Sequence, residues 1–272
     1  MKSMRESEFA AMLERFALSP EGYRKVRKGV QKRIVRHMQE LRCPSMKAYL
    51  ERLETDGDAE RQARRLMDVS ISRFFRDGPL WRILEEEILP SLIADHPGGL
   101  RVWSAGCALG QEAYSFRILW ALLAEKTGAV PTLEIRATDV NPDYLERAIE
   151  GIYPAGALAR VPAEARPRFF RPAGRASFRV ADELPESIRW RVHDLTLDAP
   201  PARDFHIVFL RNNLLTYYRD EIVKAALPAI VDSLVPGGYL VIGRKEKLPD
   251  SLKGLHPHRS VSCLYRKRGS GS

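Results

Sequence analysis

The sequence predicts an α/β fold: an open sheet of alternating strands and helices, carrying a small inserted β-subdomain and preceded by an all-α N-terminal domain. Three observations carry this reading. Arg101 to Ser115, RVWSAGCALGQEAYS, reads as a short apolar strand (Val102, Trp103), a small-residue turn from Ser104 to Gly110, and a helix bearing Ala113, Phe116, Ile118, Leu119, Leu122 and Leu123. Residues 7–92 are helical in periodicity throughout, whereas strand and helix alternate beyond residue 99. Phe205 to Asn212, FHIVFLRN, is the most convincing buried strand, and a clear helix around 222–234 follows it.

In the N-terminal region, Phe9, Met12, Leu13 and Phe16 mark a short amphipathic helix. Ser19 is the expected cap of a longer one, in which Val26, Val30, Ile34 and Met38 recur at every fourth position. Pro44-Ser45 opens a third helix, and the Thr55-Asp56-Gly57-Asp58 turn stops it. A fourth carries Ala63, Leu66 and Met67 into Val69-Ser70-Ile71-Ser72-Arg73-Phe74-Phe75-Arg76-Asp77, and a fifth runs from Pro79 through Leu89. His96-Pro97-Gly98-Gly99 is the natural boundary, so the domains are read as 1–95 and 96–268. Beyond it come strands at 133–139, 190–194, 205–212, 239–243 and 261–265. Residues 155–189, rich in proline and short strand-like runs, read as the inserted β-subdomain. Gly269 to Ser272 reads as an appended tail outside the fold.

A strand, a glycine turn and a helix form a ligand site because backbone approaches a ligand closely only where Cβ atoms are missing. The next strand, Leu133 to Asp139, ends in an acid, at about the place where such folds set a carboxylate on a ribose. Together these features suggest a nucleoside-containing cofactor. They leave its identity open, since Ala108 stands where a dinucleotide fingerprint needs its middle glycine, and an ordinary strand-to-helix turn is the bland alternative.

Three scattered cysteines, Cys43, Cys107 and Cys263, have no metal-ligand spacing and point to a reduced, cytoplasmic setting. There is neither an apolar run of membrane-spanning length nor an N-terminal apolar signal core. The formal net charge of +9 is uneven: Arg24, Lys25, Arg27, Lys28, Lys32, Arg33 and Arg36 lie between Glu21 and Glu40 with no acid among them. Such a face seeks an acidic partner, its bland alternative being a solvated helix surface. Only Tyr23 is interleaved for base stacking, which argues against nucleic acid.

The order of motifs resembles the chemotaxis-receptor methyltransferases of the CheR type, which transfer a methyl group from S-adenosylmethionine (SAM) to receptor glutamates. Ser72-Arg73-Phe74-Phe75-Arg76 is similar to the family's Thr-x-Phe-Phe-Arg segment, and Trp103 to Ser115 to its WSAGCSTGEEPYS turn. Ala137-Thr138-Asp139, Asn141-Pro142, Gly151 and Tyr153 are similar to its ATDIN and GxY run. Arg211-Asn212, then Pro236-Gly237-Gly238-Tyr239-Leu240 with Gly243 and Glu246, are similar to its CRN and PGGYLxxGxxE. The resemblance covers nearly the whole chain and implies a Rossmann-like class I SAM-dependent methyltransferase sheet.

It also implies roles. Asp139 would hold the ribose hydroxyls, Gly106 and Gly110 would let backbone approach the methionine moiety, and Gln111 or Glu112 would lie near its amino group. Asp194 and Leu195 would flank the adenine, and Arg211 and Asn212 would line the pocket. Ser70, Ser72 and Arg76 would close over the cofactor from the N-terminal domain, Arg76 being the catalytic residue that meets the incoming carboxylate. The basic helix would meet the acidic methylation region of a methyl-accepting chemoreceptor or related signalling protein, and residues 155–189 would dock a receptor tail. The implied protein is a cytoplasmic monomer that neither binds nucleic acid nor inserts into a membrane, and its product is S-adenosylhomocysteine.

Several positions depart from the family pattern. Thr216 stands at the family's active-site Tyr, Gln111 at the first Glu of its GEE, Ser70 and Ser72 at its Asn and Thr, and Arg244 at its His. Two readings therefore stand: the first is a protein-glutamate O-methyltransferase; the second is a diverged relative that binds SAM or S-adenosylhomocysteine and either serves as a regulatory or docking module or methylates another acceptor.

Overall fold

The computed structural model describes residues 4–70 and 72–269, so Ile71 and most of the Gly269–Ser272 tail lie outside the described residues. The chain divides into two compact units, residues 1–70 with 216–223, and residues 71–215 with 224–272.

The first unit is helical: α1 (Glu6–Arg15), α2 (Pro20–Tyr23), α3 (Arg27–Glu40), α4 (Met46–Thr55) and α5 (Gly57–Met67). Its core is Phe9, Met12, Leu13, Tyr23, Val30, Ile34, Tyr49, Leu53, Ala63 and Met67, all buried. Ser45 caps α4 by accepting from the Ala48 N–H, and Asp56 caps α5 by accepting from those of Asp58 and Ala59. The expected long helix after Ser19 is instead two. Ser19 makes no side-chain cap, and its N–H donates to the Tyr217 carbonyl at 2.8 Å. Leu18 also bridges to Tyr218, and a Cβ on Gly22 would run into the Thr216 carbonyl, so the returning segment fixes α2. On α3 the buried face runs Val30, Ile34, His37 and leaves Met38 half-buried, as a 3.6-residue repeat requires after two four-residue steps. His37 is a satisfied core group between the Tyr49 hydroxyl (2.7 Å) and Gln62 Oε1 (3.0 Å).

The second unit contains α6 (Gly78–Ile83) and α7 (Leu89–Asp95), joined by a π-helical turn, Leu84–Ile88. Pro90, which has no N–H for the ladder, accounts for that widening. There follow β1 (Leu100–Ala105), α8 (Gln111–Thr127), β2 (Leu133–Asp139), α9 (Pro142–Glu150), β3 (Ile152–Pro154), α10 (Arg166–Phe169), β4 (Phe170–Pro172), β5 (Ser177–Val180), α11 (Glu183–Glu186), β6 (Ile188–Val192), β7 (Phe205–Leu210), α12 (Leu214–Tyr217), α13 (Asp220–Asp232), β8 (Leu234–Ile242), β9 (Leu255–Pro257) and β10 (Leu264–Lys267). Residues 216–223, within α12 and α13, pack with the first unit.

The main sheet is ordered β6-β2-β1-β7-β8-β10-β9, parallel from β6 through β8, with β10 antiparallel to β8 and β9 antiparallel to β10. The inserted piece is a separate antiparallel sheet, β3-β5-β4. Among the described residues no helix is long and apolar enough to cross a membrane.

The unit boundary falls at 70/71, not at the expected 95/96, and the reason is aromatic packing. Trp81 stacks on Phe209 at 5.9 Å and meets Phe75 edge-on, while Phe74 touches Tyr114, Tyr153 and Phe170. Residues 72–95 are therefore part of the sheet unit. Arg76 stands on that unit and does not reach in from the helical domain, as the sequence suggested it would.

Candidate cofactor and methyl-transfer site

The direction of the chain through the sheet reverses between β1 and β7, so a crevice is expected outside their carboxyl ends. The segments that open there are the 106–110 turn after β1, Asp139 at the end of β2, His193-Asp194 after β6 and Arg211-Asn212 after β7. Gly106, Gly110, Asp139, Asp194, Arg211 and Asn212 thus gather outside the carboxyl ends of the strands of one sheet.

The turn after β1 is built by its neighbours. The Gly106 and Cys107 N–H groups both donate to the Thr138 carbonyl at 2.8 Å, and the Ala108 N–H donates to Asp139 Oδ2 at 2.9 Å. Asp139 Oδ1 accepts from the Asn141 N–H at 2.9 Å. Burial raises the Asp139 carboxyl above its ordinary pKa, and the peptide N–H groups oppose that shift. Burial also holds the Cys107 thiol in its neutral form, which fits a small structural residue and not a nucleophile.

Gly106 (φ +74°) and Gly110 (φ +81°) are in the left-handed region, but the space their missing Cβ atoms leave belongs to the protein. A Cβ on Gly106 would meet the Asn213 amide; one on Gly110 would lie 2.9 Å from Trp190 and 3.0 Å from Ala148. The missing Cβ atoms at these two positions serve packing and turn geometry.

Arg211 and Glu112 belong to a buried ionic network. The Arg211 side chain is 4% exposed; its Nη1 lies 3.1 Å from Glu112 Oε2 and its Nη2 pairs with Asp77. Glu112 Oε1 accepts from the Ser104 hydroxyl at 2.8 Å. This network ties β1, β7, α8 and the Arg76-Asp77 segment together. Gln111 is the contrasting case. It begins α8, is 4% exposed, and its Oε1 finds no hydrogen-bond partner among the described residues. A buried orphan acceptor at the crevice is what an ammonium group would satisfy, so the donor set here fits SAM.

Elsewhere, Asp194 Oδ1 accepts from the Thr196 N–H (2.8 Å) and hydroxyl (2.6 Å), which makes it the pivot of a local turn, with Leu195 half-buried beside it. Asn212 (φ +56°) has its N–H bound to Glu246 Oε2 at 3.0 Å, and the same oxygen accepts from the Gly243 N–H. Glu246 thereby pins the ends of β7 and β8, a role the sequence did not disclose. The Tyr153 hydroxyl donates to the Leu109 carbonyl, which accounts for the tyrosine in the Gly151-x-Tyr153 run.

Ser70 remains with the first unit, where its hydroxyl is buried and finds no hydrogen-bond partner among the described residues; Ser72 precedes the aromatic pair in the second. The basic row on and before α3 divides. Arg24, Lys25, Lys28, Lys32 and Arg36 are exposed, while Arg27 pairs with Glu6 at 2.5 Å. Arg33 donates to the Leu66 and Asp68 carbonyls at 2.9 and 2.7 Å, closing the end of α5. Tyr217 and Tyr218, the neighbours of Thr216, are partly buried against the core of the first unit; the Tyr217 ring lies 5.2 Å from Tyr23.

The fold and the crevice define a Rossmann-like class I SAM-dependent methyltransferase. Residues 70–262 match the family described as CheR methyltransferase, SAM binding domain, and the chain belongs to that family; its cofactor is S-adenosylmethionine. A chemotaxis protein methyltransferase of Listeria innocua is 34% identical over 183 residues, 67% of each chain. The chemotaxis protein methyltransferase Cher2 of Pseudomonas putida is 30% identical over 245 residues, 86% of each chain. An uncharacterized 104.1 kDa protein in the hypE 3' region of Rhodobacter capsulatus is 36% identical over 221 residues, 80% of this chain, and the present chain spans 23% of its length.

Proposed function

We propose that the protein transfers the methyl group of SAM to glutamate side chains of a chemoreceptor cytoplasmic domain or a related signalling protein. The relatives named above as chemotaxis protein methyltransferases support the setting. The observation that carries the acceptor class is Arg76, whose guanidinium stands on a segment bound to Arg211 at the end of β7.

A glutamate is ionised near neutral pH, its ordinary pKa being about 4.3, so methyl transfer to it needs orientation and no general base. SAM supplies a methyl on a positively charged sulfur; a carboxylate oxygen forms the new C–O bond as the S–C bond breaks, and its electron pair stays on sulfur. Arg76 offers the incoming carboxylate a planar two-donor fork that neutralises and aims it. Gln111 holds an acceptor for the ammonium end, Asp139 one for the ribose and Asp194 one for the adenine side. The exposed Arg24, Lys25, Lys28, Lys32 and Arg36 offer the acidic receptor face a complementary surface.

Thr216 favours a second reading, a module that binds the cofactor and docks without turning over. Tritiated methyl transfer to receptor cytoplasmic fragments separates the two. Base-labile label that Arg76→Ala abolishes supports the enzyme; tight S-adenosylhomocysteine binding with no label on any acidic protein supports the module.

A further inference from the structure

We infer that Asp77 is a positioning residue for Arg76, working with Arg211 and the Trp81 indole; this rests on the role given to Arg76 above. The Arg76 side chain is 32% exposed. Its flanking backbone is tightly held. Phe75 (φ +47°) and Asp77 (φ +65°) are both left-handed non-glycine residues, a conformation that persists only where surroundings enforce it.

The contacts of this segment do the enforcing. The Phe75 N–H donates to Ser115 Oγ at 2.8 Å. The Arg76 carbonyl accepts from Trp81 Nε1 at 2.8 Å and from Arg211 Nη2 at 3.4 Å. The Asp77 carboxylate takes the same Arg211 Nη2, and the other arm of Arg211 is held by Glu112 at 3.1 Å. Asp77 Oδ2 is also 4.0 Å from Arg76 Nε. Arg76, Asp77, Arg211 and Glu112 thus alternate in charge and sum to zero, with Asp77 the member that touches both guanidinium groups. Removing its charge would leave the backbone turn that carries Arg76 without its clamp, while the turn after β1 and Asp139 are untouched.

The test compares Asp77→Asn, Trp81→Phe, Arg76→Ala and the Arg76→Ala/Asp77→Asn double variant for kcat, KM for receptor fragment, and S-adenosylhomocysteine affinity by calorimetry. Asp77→Asn should lower kcat about 10- to 100-fold with cofactor affinity within about threefold of wild type. Trp81→Phe, which keeps a ring on Phe209 and loses the N–H, should lower kcat in the same direction. In the Arg76→Ala background Asp77→Asn should change residual transfer less than about threefold. The Arg76 Nε–H resonance, assigned by its loss in Arg76→Ala, should broaden in Asp77→Asn whether or not methyl transfer is measured. Equal losses in both backgrounds, wild-type kcat in Asp77→Asn, cofactor affinity falling in step with kcat, or an unchanged Arg76 resonance would each overturn the inference. Full transfer by Arg76→Ala would instead overturn the proposed function and take this inference with it.

Discussion

Glu112 Oε2 and Arg211 Nη1 meet at 3.1 Å with both side chains largely buried, across 99 residues of sequence and between the first turn of α8 and the end of β7. Because Arg211 also serves Asp77, its loss strands two carboxylates at once. Arg211→Met should therefore cost about 3 kcal/mol or more in urea unfolding, whereas Arg211→Lys, which keeps the charge and loses the fork, should cost less. A loss below 1 kcal/mol for Arg211→Met would show the network to be solvated.

Gln111 predicts effects of opposite sign on stability and binding. Its orphaned Oε1 costs free energy without cofactor, so Gln111→Met, of similar shape, should raise the stability of the cofactor-free protein by about 1 kcal/mol. The same change should weaken S-adenosylhomocysteine binding about tenfold, equal to about 1.4 kcal/mol. Thermal melts with and without the ligand, beside calorimetry, read both; unchanged affinity would remove Gln111 from the ammonium end.

The basic row divides by geometry. Lys32→Glu/Arg36→Glu should raise KM for an acidic receptor fragment several-fold, with the effect fading at high salt, and leave stability unchanged. Arg33→Ala should cost about 1–2 kcal/mol of stability instead, because it uncaps the Leu66 and Asp68 carbonyls. Salt-titrated kinetics and unfolding curves distinguish these outcomes.

His206 gives a pH dependence away from the crevice. Burial, and next the His96 ring 4.3 Å away, lower its pKa to about 4, and its Nδ1 accepts from the Arg101 N–H. Between about pH 6.5 and 4 the unfolded chain binds a proton here that the folded chain does not, so stability falls as pH falls through that window. Allowing for solvent screening, the loss should be about 1–2 kcal/mol, visible as a lower urea midpoint at pH 5 than at pH 7 and diminished in His206→Gln.

Local patterns were legible in the sequence. The apolar Val102-Trp103, the small-residue turn and the helix after it announce themselves by period, and so does Phe205 to Leu210. The segment around Phe74-Phe75 was misplaced because its apolar residues suit either unit; only the Trp81–Phe209 and Phe74–Phe170 contacts decide where they pack. Leu255–Pro257 escaped notice because a three-residue edge strand ending in proline has no period to detect. At the site, residue identities were legible and partnerships were not. Arg211 and Asp77 are 134 residues apart, and nothing in either local sequence says that they meet. Glycine was legible as a turn former at Gly110, while the reason for it, Trp190 and Ala148 against its Cα, depends on tertiary packing.

The most direct test is peptide mapping of a chemoreceptor cytoplasmic fragment after incubation with deuteromethyl SAM and either wild-type protein or Arg76→Ala of equal cofactor affinity. Deuteromethyl ester on glutamate side chains with wild type, and at least a hundredfold less with Arg76→Ala, is the result predicted. Label on another residue type, or equal ester from both proteins, would contradict it.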